Sequence, residues 1–206
     1  MSTFPILSKK YMYEHMLPKC KPVVENLYPH FNWEKIWPNF CDLKINPFDK
    51  EIIYKHLHIS LATNSKLARM NLTNSNTCNR CSDEKEQTAL HMLYECTYII
   101  PFYQWLTKIL MQICNFKPSS NIRFLYFDSF YLNTSQKRTC NMFLSMYIST
   151  VWRTRKENLR IGILKKYFIK RVMENIEIRK HMAKQNLEKI YGQYLNRLSY
   201  EELNKL

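Results

Sequence analysis

Residues 77–96 read TCNRCSDEKEQTALHMLYEC, and within them Cys78, Cys81, His91 and Cys96 are spaced Cys-x2-Cys-x9-His-x4-Cys. Three thiolates and one imidazole complete a tetrahedral zinc shell, and a complete shell leaves no open position for water or substrate. The expected cofactor is therefore one structural Zn2+ that braces a fold, not one that activates a nucleophile. The commonest DNA-reading finger ends on two histidines after a longer central loop, so this spacing predicts a different knuckle. Asn79 and Arg80 form the tip between the first two ligands, and Thr88 is placed to cap a short helix carrying Leu90, His91 and Leu93. In a regular α-helix, residues five apart point about 140° away from each other. His91 and Cys96 can share a metal only if the helix unwinds by Glu95 or Cys96. The competing reading, ordinary buried thiols beside an unrelated histidine, leaves the spacing unexplained.

Cys20, Cys41, Cys114 and Cys140 show no pairing spacing and bring the cysteines to an odd seven. They read as core fillers. The opening stretch MSTFPILSKKYMYEH has no apolar run of signal-peptide length, and nothing approaches the ~18 apolar residues of a membrane span. The expectation is an intracellular protein, nuclear or cytoplasmic, with no membrane partner, where a cysteine cluster binds metal in preference to forming disulfides.

The chain of 206 residues is 46% hydrophobic and 14% aromatic, a composition that folds. Gly162 and Gly192 are its two glycines, which excludes a Gly-rich phosphate loop and disfavours a turn-rich β fold. The predicted class is mostly α: a small helical domain stapled by the Cys3His knuckle, followed by long basic helices. Six of the eight prolines fall within the first 47 residues, so segment 1–46 should be short, Pro-punctuated pieces anchored by Trp33 and Trp37. Beyond Pro47, Ile52, Ile53, His56, Leu57 and Ser60 fit a buried helical stripe, and Asn64 is read as the cap of a short helix with Leu67 and Met70. A helix over Ile99 to Cys114 gathers Phe102, Trp105, Leu106, Ile109 and Ile113. Residues 121–131 are read as a strand or an apolar loop. From Thr139 to Arg155 two apolar stripes predict a helix buried on most sides. A last helix from about Leu164 to Tyr194 has Ile169, Val172, Met173, Ile176, Ala183, Leu187, Ile190 and Tyr194 as its seam. The segments expected are 1–46, 47–117 and 118–206.

The formal charge is +14, and it is uneven. Arg153 to Lys189 holds twelve Lys or Arg against four Glu, more than solubility needs and the pattern expected of a polyanion-binding face. A solvated helix face with i, i+4 pairs is the plainer reading; an anionic membrane surface fits less well because the seam resembles a packing face. The residues read as phosphate contacts are Arg80, Arg153, Arg155, Lys156, Lys165, Lys166, Lys170 and Arg171. Tyr94, Tyr98 and Tyr103 are candidates either to stack on unpaired bases or to be buried. His56 and His58 read as structural histidines. With four aspartates (Asp42, Asp49, Asp83 and Asp128) and no Asp-Asp pair, the chain lacks the carboxylates that hold two metal ions for phosphoryl transfer. No catalytic residue and no small-molecule substrate are expected.

Pro47 to Leu110 resembles the zinc-binding segment that follows the polymerase in LINE-type non-LTR retrotransposon reverse transcriptases. The matching words are IIYKHLH at Ile52–His58, LATNSKLARMNL at Leu61–Leu72, CNRC at Cys78–Cys81, TALHMLYEC at Thr88–Cys96 and IPFYQWL at Ile100–Leu106. Ala62 stands where that family has a proline. FLSMYISTVWRTRKENLR at Phe143–Arg160 is similar, more loosely, to the family's apolar-then-basic ending; residues 1–30 show no likeness. The resemblance implies that Cys78, Cys81, His91 and Cys96 are the zinc ligands. It also implies an accessory region that binds RNA or DNA beside the polymerase part of a parent polyprotein. A structural or protein-docking zinc module, and an element remnant without activity of its own, are the alternative readings.

Overall fold

The computed structural model describes residues 23–114, 122–128 and 132–182. Its helices are α1 (Val23–Leu27), α2 (Trp33–Cys41), α3 (Pro47–Leu57), α4 (Asn64–Arg69), α5 (Ile100–Cys114), α6 (Thr134–Arg153) and α7 (Ile161–Met182), with a π-helical turn at His91–Glu95 and a 3-10 turn at Ile122–Tyr126. Among the described residues β pairing is confined to one isolated antiparallel bridge, Thr77 with Glu86. The described residues are mostly helical, as the composition predicts.

α6 is the axis of the fold. Every residue from Thr139 to Val151 is buried, and α3, α5 and α7 pack around it. A helix with this many hydroxyls tolerates burial because they bond back to carbonyls of the preceding turn: Thr139 Oγ1 donates to Ser135 O (3.1 Å), Ser145 Oγ to Asn141 O (2.6 Å) and Thr154 Oγ1 to Thr150 O (2.9 Å). Its start lies five residues before the expected Thr139. Asn133 accepts from Gln136 N while the Gln136 side chain accepts from Asn133 N, a reciprocal capping box that satisfies two otherwise orphaned amides.

Aromatic side chains fill the interfaces. Phe168 of α7 meets Phe102 and Trp105 of α5 edge-on, with ring centroids 5.8 and 5.6 Å apart, and Phe102 lies 5.1 Å from Tyr147. Edge-to-face pairs of this kind add about 0.5–1.5 kcal/mol each beyond the area they bury. At the other end Tyr28, Phe31 and Trp33 surround Tyr126 of the 3-10 turn. Trp33 Nε1 donates to Tyr28 O (2.9 Å) and Trp37 Nε1 to Glu25 Oε1 (2.8 Å), so the two tryptophans anchor the early segment as expected. Residues of all three sequence segments enter one buried cluster.

With so few glycines, other residues terminate the helices. Ile59 (φ 52°) ends α3 and Asn71 (φ 55°) ends α4 in the left-handed region. Ser60 N donates to Lys55 O (2.7 Å) and Leu72 N to Leu67 O (2.9 Å), with Ile59 N and Asn71 N bonded to His56 O and Ala68 O. Both are the paired closures that usually place glycine at this position.

Four expectations need correction. Thr63, not Asn64, caps α4, its Oγ1 accepting from Lys66 N (3.4 Å), because the Asn64 side chain is engaged by Thr77 O (2.8 Å). Residues 122–126 form a 3-10 turn in place of a strand or loop. Of the spare cysteines, Cys114 and Cys140 are buried but Cys41 is exposed; Cys20 lies outside the described residues. α7 begins at Ile161, three residues early. Ile169, Val172 and Ile176 are buried in its seam, with Met173 half-buried, whereas Ala183, Leu187, Ile190 and Tyr194 lie outside the described residues.

Candidate metal centre

The hairpin from Asn76 to Gln87 presents the first two ligands. Cys78 N donates to Lys85 O and Gln87 N to Asn76 O, each at 2.8 Å, closing the loop so that Cys78 and Cys81 turn inward. Thr88 then caps the next segment by accepting from His91 N (3.0 Å), as its position predicts. The phase problem between His91 and Cys96 is solved by widening the helix. His91–Glu95 is a π turn, and Cys96 N donates to His91 O across five residues (2.9 Å). Cys96 is extended (φ −66°, ψ 124°), so the helix ends at the residue where unwinding was required. π turns of this kind recur at functional sites.

The four donor atoms lie within 4.8 Å of one another. Cys78 Sγ is 3.9 Å from Cys96 Sγ, and Cys81 Sγ is 3.4 Å from His91 Nε2. Zn–S near 2.3 Å and Zn–N near 2.0–2.1 Å at tetrahedral angles require separations of about 3.8 Å and about 3.6 Å, so the donor set fits a zinc ion. Among the described residues this is where three or more His, Cys, Asp or Glu side chains converge to hold a metal.

The electrostatics suit a ligand shell. Burial lowers the His91 pKa, favouring the neutral imidazole that coordinates metal. Burial pushes the Cys96 thiol up to about 12. Burial also opposes ionisation of Cys78, but the backbone amides of Arg80 and Cys81 and the neighbouring thiols outweigh it and its pKa falls. A cation among these thiols supplies the charge that deprotonates them.

Supporting contacts tie the knuckle to the body, and sequence reasoning missed the residue at their centre. Gln87, which is buried, donates through Nε2 to Asn79 Oδ1 (3.0 Å) and Cys78 Sγ (3.9 Å), while its Oε1 accepts from Asn64 N (3.1 Å). It thereby joins the ligand loop to the start of α4. From the other side Tyr147 Oη of α6 donates to Leu93 O inside the π turn (2.6 Å). A buried glutamine flanked by an acid and a threonine carries no sequence signal that separates it from a surface residue.

The predicted phosphate contacts divide into two groups. Arg80 points into the protein: its guanidinium donates to Thr154 O and Oγ1 at the end of α6 and lies 5.4 Å from the Tyr98 ring centroid. Arg171 is buried and, with Arg153, pairs with the fully buried Asp49 of α3. Its other donors reach Ser149 Oγ (2.8 Å) and Thr150 Oγ1 (3.2 Å). Burial and an internal carboxylate therefore withdraw Arg171 from any phosphate, and the Thr154 carbonyl occupies Arg80. Lys156, Lys166 and Lys170 are exposed, with Lys170 loosely paired to Glu174 (3.9 Å). Arg155 stacks on Trp152 at 3.6 Å, and Lys165 lies 5.1 Å over Trp105. Tyr103 is buried, while Tyr94 and Tyr98 are half-buried against the body. His56 is buried with Nε2 on Leu125 O (3.1 Å), and His58 packs between Tyr54 and Trp37; both are structural.

A helical body carrying a Cys3His donor set that fits a metal ion is the class of protein that the fold and the site define. Residues 7–102 match the family model described as zinc-binding in reverse transcriptase, so that segment is similar to the zinc-binding modules associated with reverse transcriptases. The match contains all four ligands and starts well before Pro47. α1 and α2 fall within the matched residues, and Val24, Trp33 and Ile36 of these helices pack into the common core. It covers a zinc-binding domain, not a catalytic one. No curated protein and no solved structure matches the chain. No described helix is long and apolar enough to cross a membrane.

Proposed function

We propose that this chain is a nucleic-acid-binding accessory module of a non-LTR retrotransposon-derived reverse transcriptase. In this reading one structural zinc, held by Cys78, Cys81, His91 and Cys96, braces a basic helical surface. The observation that carries the reading is the convergence of those four ligands inside a segment matching a reverse-transcriptase zinc-binding family. The charge of +14 supports it, because a field of that size is of most use against a polyanion. Zinc supplies folding free energy in such a site, and its full protein shell leaves no position for catalysis. RNA or DNA would meet Arg155, Lys156, Lys166 and Lys170, near a polymerase part of the parent polyprotein.

The test is the salt dependence of binding to labelled RNA and DNA. Four phosphate contacts on a single strand give a log–log slope of about −3; a flat response refutes the reading. The internal commitment of Arg80 and Arg171 favours a second reading, a module that chiefly braces or docks protein. Charge reversal at the exposed Lys156, Lys166 and Lys170 separates the two: loss of nucleic-acid binding with the fold retained supports the first.

A further inference from the structure

The metal cluster makes no use of the face formed by the start of α3, the end of α6 and the first half of α7. An open groove of about 420 Å³ lies there, lined by Phe48, Trp152 and Tyr167 together with Lys55, Arg153 and Arg155. Phe48, the second residue of α3, is 72% exposed, and Tyr167 is 38% exposed. Both side chains reach solvent, whereas most of the other described aromatics are buried. The arginines are arranged among them: Arg155 is stacked on Trp152, and the Arg171 guanidinium lies 5.8 Å from the Tyr167 ring centroid.

The charge of this face is positive. Lys55, Arg153, Arg155 and the underlying Arg171 stand against two carboxylates, Glu51 on the groove wall (2.6 Å from Lys55) and Asp49 beneath it. Cations alone would suit any polyanion. Open aromatic faces add a requirement that only some polyanions meet, because a ring gains by stacking on another exposed ring. In a duplex the base faces are already stacked; in an unpaired strand they are available.

We propose that this groove binds a single-stranded segment of nucleic acid, a base stacking on Phe48 or Tyr167 while flanking phosphates lie against Arg153 and Arg155. This rests on the nucleic-acid reading above and narrows it to the unpaired strand. Phe48 and Tyr167 are the specificity-determining residues, since neither carries a charge that attracts phosphates and each offers a ring to a base. Trp152, half-buried under Arg155, is the floor of the groove.

The zinc-loaded full chain is titrated with fluorescein-labelled oligouridine and with a duplex of equal phosphate number, for the native protein and for Phe48→Ala, Tyr167→Ala and the double variant. Both positions are exposed, so unchanged zinc content and melting temperature certify the fold, and Phe48→Tyr serves as the variant that keeps a ring. The expected result is single-strand binding weakened about ten-fold or more in the double variant. Duplex affinity and the salt slope stay unchanged, and Phe48→Tyr stays near native. Photo-crosslinking of 5-iodouridine oligonucleotide is expected to map to the peptides carrying Phe48 or Tyr167. Native protein that binds the single strand with no loss in the double variant overturns the groove and leaves the broader function standing. Native protein that binds neither probe overturns both, and capture of an acidic apolar peptide by the same rings in its place assigns the groove to a protein partner.

Discussion

Replacing Asp49 with asparagine should be among the most destabilising single changes available in this protein. The carboxylate is fully buried at the first turn of α3, where Asn46 Oδ1 accepts from its backbone N–H (2.9 Å). It faces Arg171, whose side chain is 9% exposed, and Arg153 at 3.2 Å, 37% exposed. Asn keeps the shape and an acceptor oxygen but removes the charge, which leaves Arg171 as a buried cation facing neutral acceptors alone, the amide oxygen and the Ser149 and Thr150 hydroxyls. Breaking a buried pair this way costs about 3–5 kcal/mol. Arg153, more than a third exposed, adds little because solvent screens it. In a chain of this size such a loss lowers the melting temperature by roughly 10 °C. Urea unfolding of the zinc-loaded protein, followed by tryptophan fluorescence, measures it. The double change Asp49→Leu with Arg171→Leu removes both charges and should recover much of the stability, since an apolar pair of similar volume is often neutral. A loss below about 1 kcal/mol for Asp49→Asn, or a double variant no better than the single, refutes the argument that α3, α6 and α7 are joined through this carboxylate.

Gln87→Ala removes the donor to Cys78 Sγ and the bridge to α4. Zinc affinity in a competition titration should fall about 10–100-fold, the usual cost of losing an outer partner of a metal ligand, and an unchanged affinity contradicts the assignment. Arg80→Met removes the donor at the end of α6, where a cation also favours the helix dipole. It should lower stability by about 1–2 kcal/mol in urea and leave the salt slope of nucleic-acid binding unchanged; a reduced slope would restore Arg80 as a phosphate contact. His56 is held neutral, its pKa lowered to about 4 by burial against an ordinary 6.5. Because the unfolded chain takes up the proton first, stability is intact above 6.5 and falls as pH drops from 6.5 towards 4. Between pH 7.5 and 5 the loss is about 2 kcal/mol. His56→Phe should remove that increment of acid sensitivity in urea titrations; identical pH profiles for the two proteins contradict it.

What could be read in the sequence was what is local. Cys-x2-Cys, the Thr88 cap and the break required before Cys96 all involve residues within a few turns of one another, and the structure realises each. The apolar stripes of α5 and α6 were likewise legible because a 3.6-residue period shows which side is buried. The charged residues misled for the opposite reason. Asp49 meets Arg153 and Arg171 across 104 and 122 residues of sequence, and Arg80 meets Thr154 across 74. A basic residue destined for an internal carboxylate has the same local context as one destined for solvent. The count of aspartates disfavoured an active site and gave no hint that one of them organises three helices. Phe48 lies one residue inside α3, where an aromatic reads as core, and only the packing shows its ring exposed.

The knuckle and the ion-paired helices meet at one place. Arg80 reaches the last turn of α6, Arg153 and Arg155 stand within and just beyond that turn, and Tyr147 holds the π turn from the same helix. Fixing the ligand loop therefore fixes the end of α6, and with it the position of Arg155 over Trp152. Metal binding and the basic face are mechanically connected through a single helix, so removal of the ion with a strong chelator should loosen both.

Native mass spectrometry of the intact chain tests the central claim most directly. One zinc per chain is expected, lost on Cys81→Ser or Cys96→Ser and retained on Cys41→Ser, whose thiol is exposed and outside the cluster. A native chain that carries no zinc, or a Cys96→Ser chain that keeps a full equivalent, would contradict it.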